Sequence, residues 1–146
     1  MPVMIRSAVS DDVDAILALE QEASGAAHWT REQYRQRVGE GTILVAEAEE
    51  EGSLTGFLCA RIVAGEWEIE NVAVAEKARR RGVAGRLLEE LLRRARSLGA
   101  IAVWLEVRES NQPARHLYEK HGFKEAGWRP AYYRNPDEDA LLYRFV

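Results

Sequence analysis

"NVAVAEKARRRGVAGRLLEELL", residues 71–92, joins an alternating apolar segment to a leucine-rich one through a short basic linker. Val83, Leu87, Leu88, Leu91, Leu92, Ala95 and Leu98 recur at three- and four-residue intervals, so residues 83–98 read as an amphipathic helix that Gly99 stops. The positive N-terminal end of such a helix favours acidic side chains. Arg79, Arg80 and Arg81 stand there instead, among glycine and alanine. An arginine run is often no more than a solvated face. Between a strand and a helix start, with small residues that let backbone N–H groups approach a ligand, it also suits phosphate oxygens. Two phosphate motifs are absent: no Gly-Lys-Ser/Thr closes the loop, and "GVAG" is not a full G-x-G-x-x-G.

Upstream, "VMIRSAV" (3–9) reads as a strand, followed by a helix that Ser10 or Asp11 caps and whose apolar stripe is Val13, Ile16 and Leu17. "ASGAAH" (23–28) breaks that helix, and the capping-box pattern "TREQ" (30–33) opens a second one, to about Val38. "GTILVAEAE" and "LTGFLCARIV" flank a tight turn at "EEGS" and predict a hairpin, with "GEWEIENVAVA" as the next strand. Downstream, "AIAVWLEV" (100–107) is an almost continuous apolar run, as expected of a buried central strand. "NQPARHLYEKHG" is a short helix, and "FKEAGWRPAYYR" and "DALLYRFV" read as a closing antiparallel pair. The order β-α-α-β-β-β-α-β-α-β-β predicts a mixed α/β layer structure, one domain over residues 1–146.

Composition narrows the function classes. A net charge of −4 and a pI near 5.5 argue against a nucleic-acid partner, which needs a basic surface. No stretch approaches the roughly 20 apolar residues of a membrane span, and "MPVMIRSAVSDD" lacks the apolar block of a signal peptide, so no membrane partner and a cytoplasmic location are expected. Cys59, the only cysteine, forms no internal disulfide, and His28, His116 and His121 make no ligand pattern, so no metal is expected. Cys59 reads as a small buried filler.

No Gly-x-Ser-x-Gly elbow offers a nucleophile. Glu106 is the one charge in "AIAVWLEV"; a carboxylate at the end of a buried strand is a candidate base, and equally a structural group that caps the next helix or pairs with Arg108. Tyr118 falls seven residues after Asn111, on the same face of the short helix, as a proton donor or as an ordinary core tyrosine. Glu68 and Glu70 are alternative bases.

"RRRGVA" (79–84), after a "VAV" strand and before a leucine-rich helix, resembles the Gln/Arg-x-x-Gly-x-Gly/Ala pyrophosphate loop of the GNAT acetyltransferases. The resemblance extends through "WLEVRESNQPARHLYEKHGFKEAG" and covers nearly the whole chain. It is strongest to the bacterial ribosomal-protein-alanine N-acetyltransferases, in which Leu-Glu-Val-Arg, Ser-Asn, Leu-Tyr and Gly-Phe recur in this order. It implies the acyl-CoA N-acyltransferase fold, with two central parallel strands splayed apart, and acetyl-CoA as donor. By the same resemblance Val72, Ala73 and Val74 hold the acetyl group and pantetheine arm by backbone hydrogen bonds. Arg79, Arg80, Arg81, Gly82, Val83, Ala84 and Gly85 form the loop that wraps the pyrophosphate, and Asn111 contacts the pantetheine arm. Glu106 is the proton acceptor and Tyr118 the general acid. Ala84 and Gly85 depart from the glycine and arginine usual in close relatives, a loss that Arg86 or Arg79 is expected to offset.

The implied acceptor is a protein N-terminus, an alanine of a small ribosomal protein. A terminal amine of pKa about 7.7–8 is roughly a tenth neutral at pH 7 and lysine only about 0.04%, which suits one modest base to an α-amine. Candidates to line the acceptor site are Glu20, Trp29 within "HWT", and Tyr132 and Tyr133 within "YYRNPDED". A lysine side chain or a small-molecule amine is the alternative acceptor, and a CoA-binding module without turnover the non-enzymatic alternative.

Overall fold

The computed structural model describes residues 3–23, 28–134 and 137–146. Seven strands and four helices follow in the order β1 (Val3–Ser7), α1 (Val13–Glu22), α2 (Arg31–Glu40), β2 (Ile43–Ala48), β3 (Leu54–Val63), β4 (Glu66–Val74), α3 (Val83–Ser97), β5 (Ala102–Arg108), α4 (Gln112–Lys120), β6 (Lys124–Tyr133) and β7 (Glu138–Phe145). One mixed sheet holds all seven strands in the order β1-β2-β3-β4-β5-β7-β6. Only β4 and β5 run parallel; α3 is their crossover.

The element order agrees with the sequence reading; details differ. α2 opens on the predicted capping box, Thr30 with Gln33, but runs to Glu40 because Gly41, at φ 77°, supplies the left-handed C-cap. Neither Ser10 nor Asp11 caps α1. A single 3-10 turn, Ser10–Asp12, precedes it, and the Asp12 carboxylate accepts from the Val9 N–H at 2.7 Å while Arg6 holds both its oxygens at 2.8 and 3.0 Å. On α3, Glu90 pairs with Arg94 as the spacing predicts. The other pair that the i,i+4 spacing predicts, Glu89 with Arg93, does not form: Arg93 also turns to Glu90, at 2.7 Å, and Glu89 faces His121, just past the end of α4.

The core is one contiguous cluster. α3 buries Val83, Leu87, Leu88, Leu91, Leu92 and Ala95 against one face of the sheet. α1 and α2 cover the other face at β3, where Phe57 meets the Tyr34 ring edge-on at 5.7 Å. Gly56 marks how closely α3 approaches. A Cβ there would lie 3.1 Å from both the Ala73 carbonyl oxygen and a Val83 methyl, so a larger residue needs those neighbours to give by a few tenths of an ångström.

"AIAVWLEV" departs from a strand buried on both faces. Val103, Leu105 and Val107 point into the core, but Trp104, Glu106 and Arg108 alternate onto a half-open face. That face is continuous with the one covered by α1 and α2, whose contacts stop at β3 and β4. An apolar count cannot distinguish one covered face from two.

The β3–β4 connection is a two-residue hairpin, Ala64-Gly65, with φ of 52° and 82°. Two positive φ values match a type I′ turn, whose first position prefers Asn. Ala64→Asn is expected to stabilise the protein by about 0.5–1 kcal/mol, read as a raised urea midpoint with unchanged m-value.

The Arg6 guanidinium holds the Asp12 carboxyl below the usual carboxylate range, with the Val9 N–H assisting against burial. A carboxyl lowered by folding contributes stability above its unfolded value of about 3.9, and loses it as pH falls further. Asp12→Asn should therefore cost about 1–3 kcal/mol at pH 7. The gap between the variant and the parent should narrow below about pH 4 in urea titrations.

Candidate active site

The parallel pairing of β4 and β5 begins at Glu66↔Ala102 and ends at Ile69↔Leu105. At that point β4 carries a bulge: Cys59 pairs with Asn71 and Ala60 with Ile69, which leaves Glu70 without a cross-strand mate. A bulge bends its strand and strengthens the local twist. β4 stays on β3 from Asn71 to Val74 but leaves β5, and Glu106 is the first residue of β5 past the parting.

The bulge is pinned by charge. Glu70 accepts from Arg37 Nε and Nη2 at 2.8 and 3.3 Å, and Arg61 Nε lies at 3.8 Å. Arg37 in turn sits 5.4 Å over the Trp29 ring. Glu68 is paired with Arg61 at 2.6 Å. Both alternative bases are thus bound to arginines.

Beyond the bulge, β4 presents bare backbone to the gap. The Ala75 N–H donates to Thr55 O on the β3 side at 2.8 Å, and strand alternation turns the peptide groups of Val72 and Val74 the other way. The Val74 carbonyl accepts from Arg79 Nε at 3.2 Å, which ties the arginine loop to the strand end. Ala73 pairs with Phe57 and is buried.

The loop ends in two left-handed residues, Arg80 at φ 65° and Gly82 at φ 78°, the second being the N-cap of α3. The first helical bond is Arg86 N–H to Gly82 O, so the N–H groups of Val83, Ala84 and Gly85 have no partner within the helix. No acidic residue or side-chain cap neutralises this end, and Arg80 and Arg81 are exposed beside it. Gly85 faces the C-cap of α4: a Cβ would meet the His121 ring at 3.5 Å, an ordinary contact. Arg86 points elsewhere, donating to Val3 O at 3.0 Å.

Glu106 is 16% exposed, and its two oxygens differ. Oε1 lies 3.5 Å from Arg129 Nη2, whereas Oε2 is buried with no hydrogen-bond partner among the described residues. Burial foremost, and then the nearby Glu106 charge, raises the Tyr132 phenol above its usual range. Tyr133, pushed up to about 12 by burial and then by the Glu106 charge, lies under the Arg108 guanidinium at 4.5 Å. Arg108 pairs with Glu138 at 3.3 Å and donates to Arg134 O at 2.9 Å.

Across the gap, α4 starts at Asn111, whose side-chain oxygen accepts the Ala114 N–H at 3.2 Å. Burial raises the Tyr118 phenol to about 12, and its ring contacts Phe123 and Tyr143.

Glu20 has a different setting from the one expected. It is 2% exposed, and its Oε1 accepts from the Tyr34 hydroxyl at 2.8 Å and the Trp29 N–H at 2.6 Å. Asn71 Nδ2 donates to the same Tyr34 oxygen at 3.0 Å. Glu20 thereby fixes Trp29 from inside and presents no free carboxylate to a groove. Parts of "ASGAAH" and "YYRNPDED", residues 24–27 and 135–136, lie outside the described residues.

Two contributors escaped the sequence reading. Arg37 carried a signal, a charge three residues after Tyr34 on a helix with little other apolar surface. Arg129 carried none, because the irregular register between Arg129 and Tyr133 hides which side chains turn over the sheet.

This arrangement of bare strand edge, uncapped helix start, buried carboxylate and buried phenol can be compared with known proteins. Residues 11–123 match the acetyltransferase (GNAT) family. The chain belongs to this family. It is an N-acetyltransferase that uses acetyl-CoA. The [ribosomal protein bS18]-alanine N-acetyltransferase of Escherichia coli K12 is 34% identical over 140 residues, 94% of this chain and 93% of that protein. The crystal structure of the E. coli ribosomal-protein-S18-alanine N-acetyltransferase superposes with a TM-score of 0.89 at 31% identity, covering 99% of this chain and 93% of that one. A NatC complex bound to Gag peptide and CoA superposes at 0.87 with 20% identity, over 99% and 98% of the chains, a likeness of fold alone.

In this acetyltransferase, Glu20→Ala would strand the Tyr34 hydroxyl and the Trp29 N–H. A loss of about 2–4 kcal/mol is expected in urea unfolding, with a red-shifted tryptophan emission in the folded state.

Proposed function

We propose that this enzyme acetylates the N-terminal α-amine of a protein, in the first place the alanine of a small ribosomal protein, by direct attack within a ternary complex. The observation that carries the reading is the buried, unpartnered Oε2 of Glu106 at the point where β4 and β5 part. The kinship with proteins named bS18-alanine N-acetyltransferases supports the acceptor.

Acetyl-CoA is the donor, and three features of this chain suit it. The peptide groups of Val72 and Val74, flanking Ala73, face the gap and match the amides of a pantetheine arm. The unpaired N–H groups at the start of α3, with Arg79, Arg80, Arg81 and Gly82 before them and Val83, Ala84 and Gly85 within, suit a pyrophosphate. Asn111, the N-cap of α4, serves as the pantetheine contact.

The acceptor enters over the half-open face, with Tyr132, Tyr133 and Trp29 as its walls. Its ammonium passes a proton to Glu106, directly or through one water. The freed nitrogen attacks the thioester carbonyl carbon; the C–N bond forms, the C–S bond breaks, and the nitrogen releases its second proton, which ends on the departing sulfur with Tyr118 as relay. The departing sulfur carries the electron pair and meets the Tyr118 hydroxyl. A phenol near pKa 12 stays protonated at every working pH, and a thiolate with a conjugate acid near about 8.5 does not readily remove its proton. The chief help from Tyr118 is therefore a charge-assisted hydrogen bond, with proton transfer completing as the sulfur is desolvated.

With an alanine-starting basic peptide, Glu106→Gln should lower kcat/KM by about 10²–10³-fold and Tyr118→Phe should lower kcat by at least about tenfold. CoA affinity should stay near the parent value in both. Thiol release and peptide mass spectrometry check this. Parent-like turnover in Glu106→Gln, or preferential acetylation of polyamines, aminoglycosides or internal lysines, would reject the reading.

A further inference from the structure

α4 carries both Asn111 and Tyr118, yet no side chain of the helix is fully buried. Its apolar side chains Ala114, Leu117 and Tyr118 pack against the core only partly buried, so polar contacts also seat this helix. They converge on a phenol of the neighbouring strand. Tyr143 of β7 has no exposed surface; its hydroxyl donates to Glu119 Oε2 at 2.6 Å and accepts from Arg115 Nε at 3.1 Å. Arg115 and Glu119 are one helical turn apart, with Tyr118 between them in sequence. Arg115 also donates through Nη1 to Glu109 O at 2.9 Å, which secures the loop leading into α4.

Tyr118 has no comparable polar anchor of its own. Its ring is placed by edge contacts, 5.8 Å from Phe123 and 6.4 Å from the ring of Tyr143 itself. The height of α4 on the sheet therefore decides where the Tyr118 hydroxyl lies, and the Tyr143 clamp sets that height. Burial and the Glu119 carboxylate both raise the Tyr143 phenol, so it keeps its proton and the direction of the hydrogen bond to Glu119.

We infer that Tyr143 is a positioning residue for Tyr118: its hydroxyl, clamped between Arg115 and Glu119, aligns α4 so that the Tyr118 O–H meets the leaving sulfur. The inference rests on Tyr118 as the group that serves the sulfur.

Tyr143→Phe keeps the ring and removes only the hydroxyl. It should lower kcat about tenfold, with acceptor KM and CoA affinity within twofold of the parent. In a Tyr118→Phe background the same change should alter kcat less than twofold, because the group being aligned is already gone. Full kcat in Tyr143→Phe overturns the inference, as does an equal loss in both backgrounds. Should Tyr143→Phe not fold, Glu119→Ala removes half of the clamp from an exposed position. It should cost about threefold in kcat with the same dependence on background, and full activity there overturns the inference equally. A Tyr118→Phe enzyme with undiminished turnover would instead sink the underlying reading of Tyr118.

Discussion

The ion pair between Glu70 and Arg37 ties a backbone irregularity to the layer of helices beneath it. A bulged residue in the middle of a sheet leaves its peptide groups out of the ladder, and such a defect persists only when its side chain is held. Here two guanidinium nitrogens of Arg37 grip the carboxylate, and the Trp29 ring stacks beneath them. With the bulge secured, β4 veers from β5 after four paired residues, and everything proposed for the donor follows from the gap. The same contact joins α2, and through Trp29 the acceptor wall, to the strand that would hold the thioester. Donor and acceptor sides share one anchor.

The half-open face of the sheet carries many charges, and its carboxylates are not equivalent. Glu66 accepts from the Trp104 indole, Glu68 from Arg61, Glu70 from Arg37, and Glu138 from Arg108 and the Ser110 amide. Each already accepts at least one hydrogen bond from an indole, amide or guanidinium N–H, a donor that stays protonated at working pH. Glu106 has one oxygen near Arg129 and one with no hydrogen-bond partner among the described residues. An unsatisfied buried oxygen is costly in a folded protein. It is tolerable where a substrate supplies the missing donor, and an ammonium does so.

Much of this was legible in the sequence because it rests on local rules. Leucine spacing, the Thr30–Gln33 box and the glycine stops define the elements, and the loop before α3 stands out by charge. Glu106 is conspicuous as a lone carboxylate in an apolar run. What was not legible depends on pairing. No local pattern reveals that Glu70 is bulged, that Trp104 and Arg108 lie on an uncovered face, or that Arg93 prefers Glu90 to Glu89. Glu20 misled for the same reason. A polar residue on an apolar stripe suggests a groove, but its partners, Tyr34 and the Trp29 amide, arrive from a segment whose docking no spacing encodes.

Gly56 seats the first residue of α3 close on sheet backbone, with a Val83 methyl 3.1 Å from where its own side chain would begin. Val83 directly follows the arginine loop, so the far end of that loop rests on β3. A side chain at position 56 would press on the start of α3 and on the amides presented there, although it lies in another strand and touches none of the basic residues.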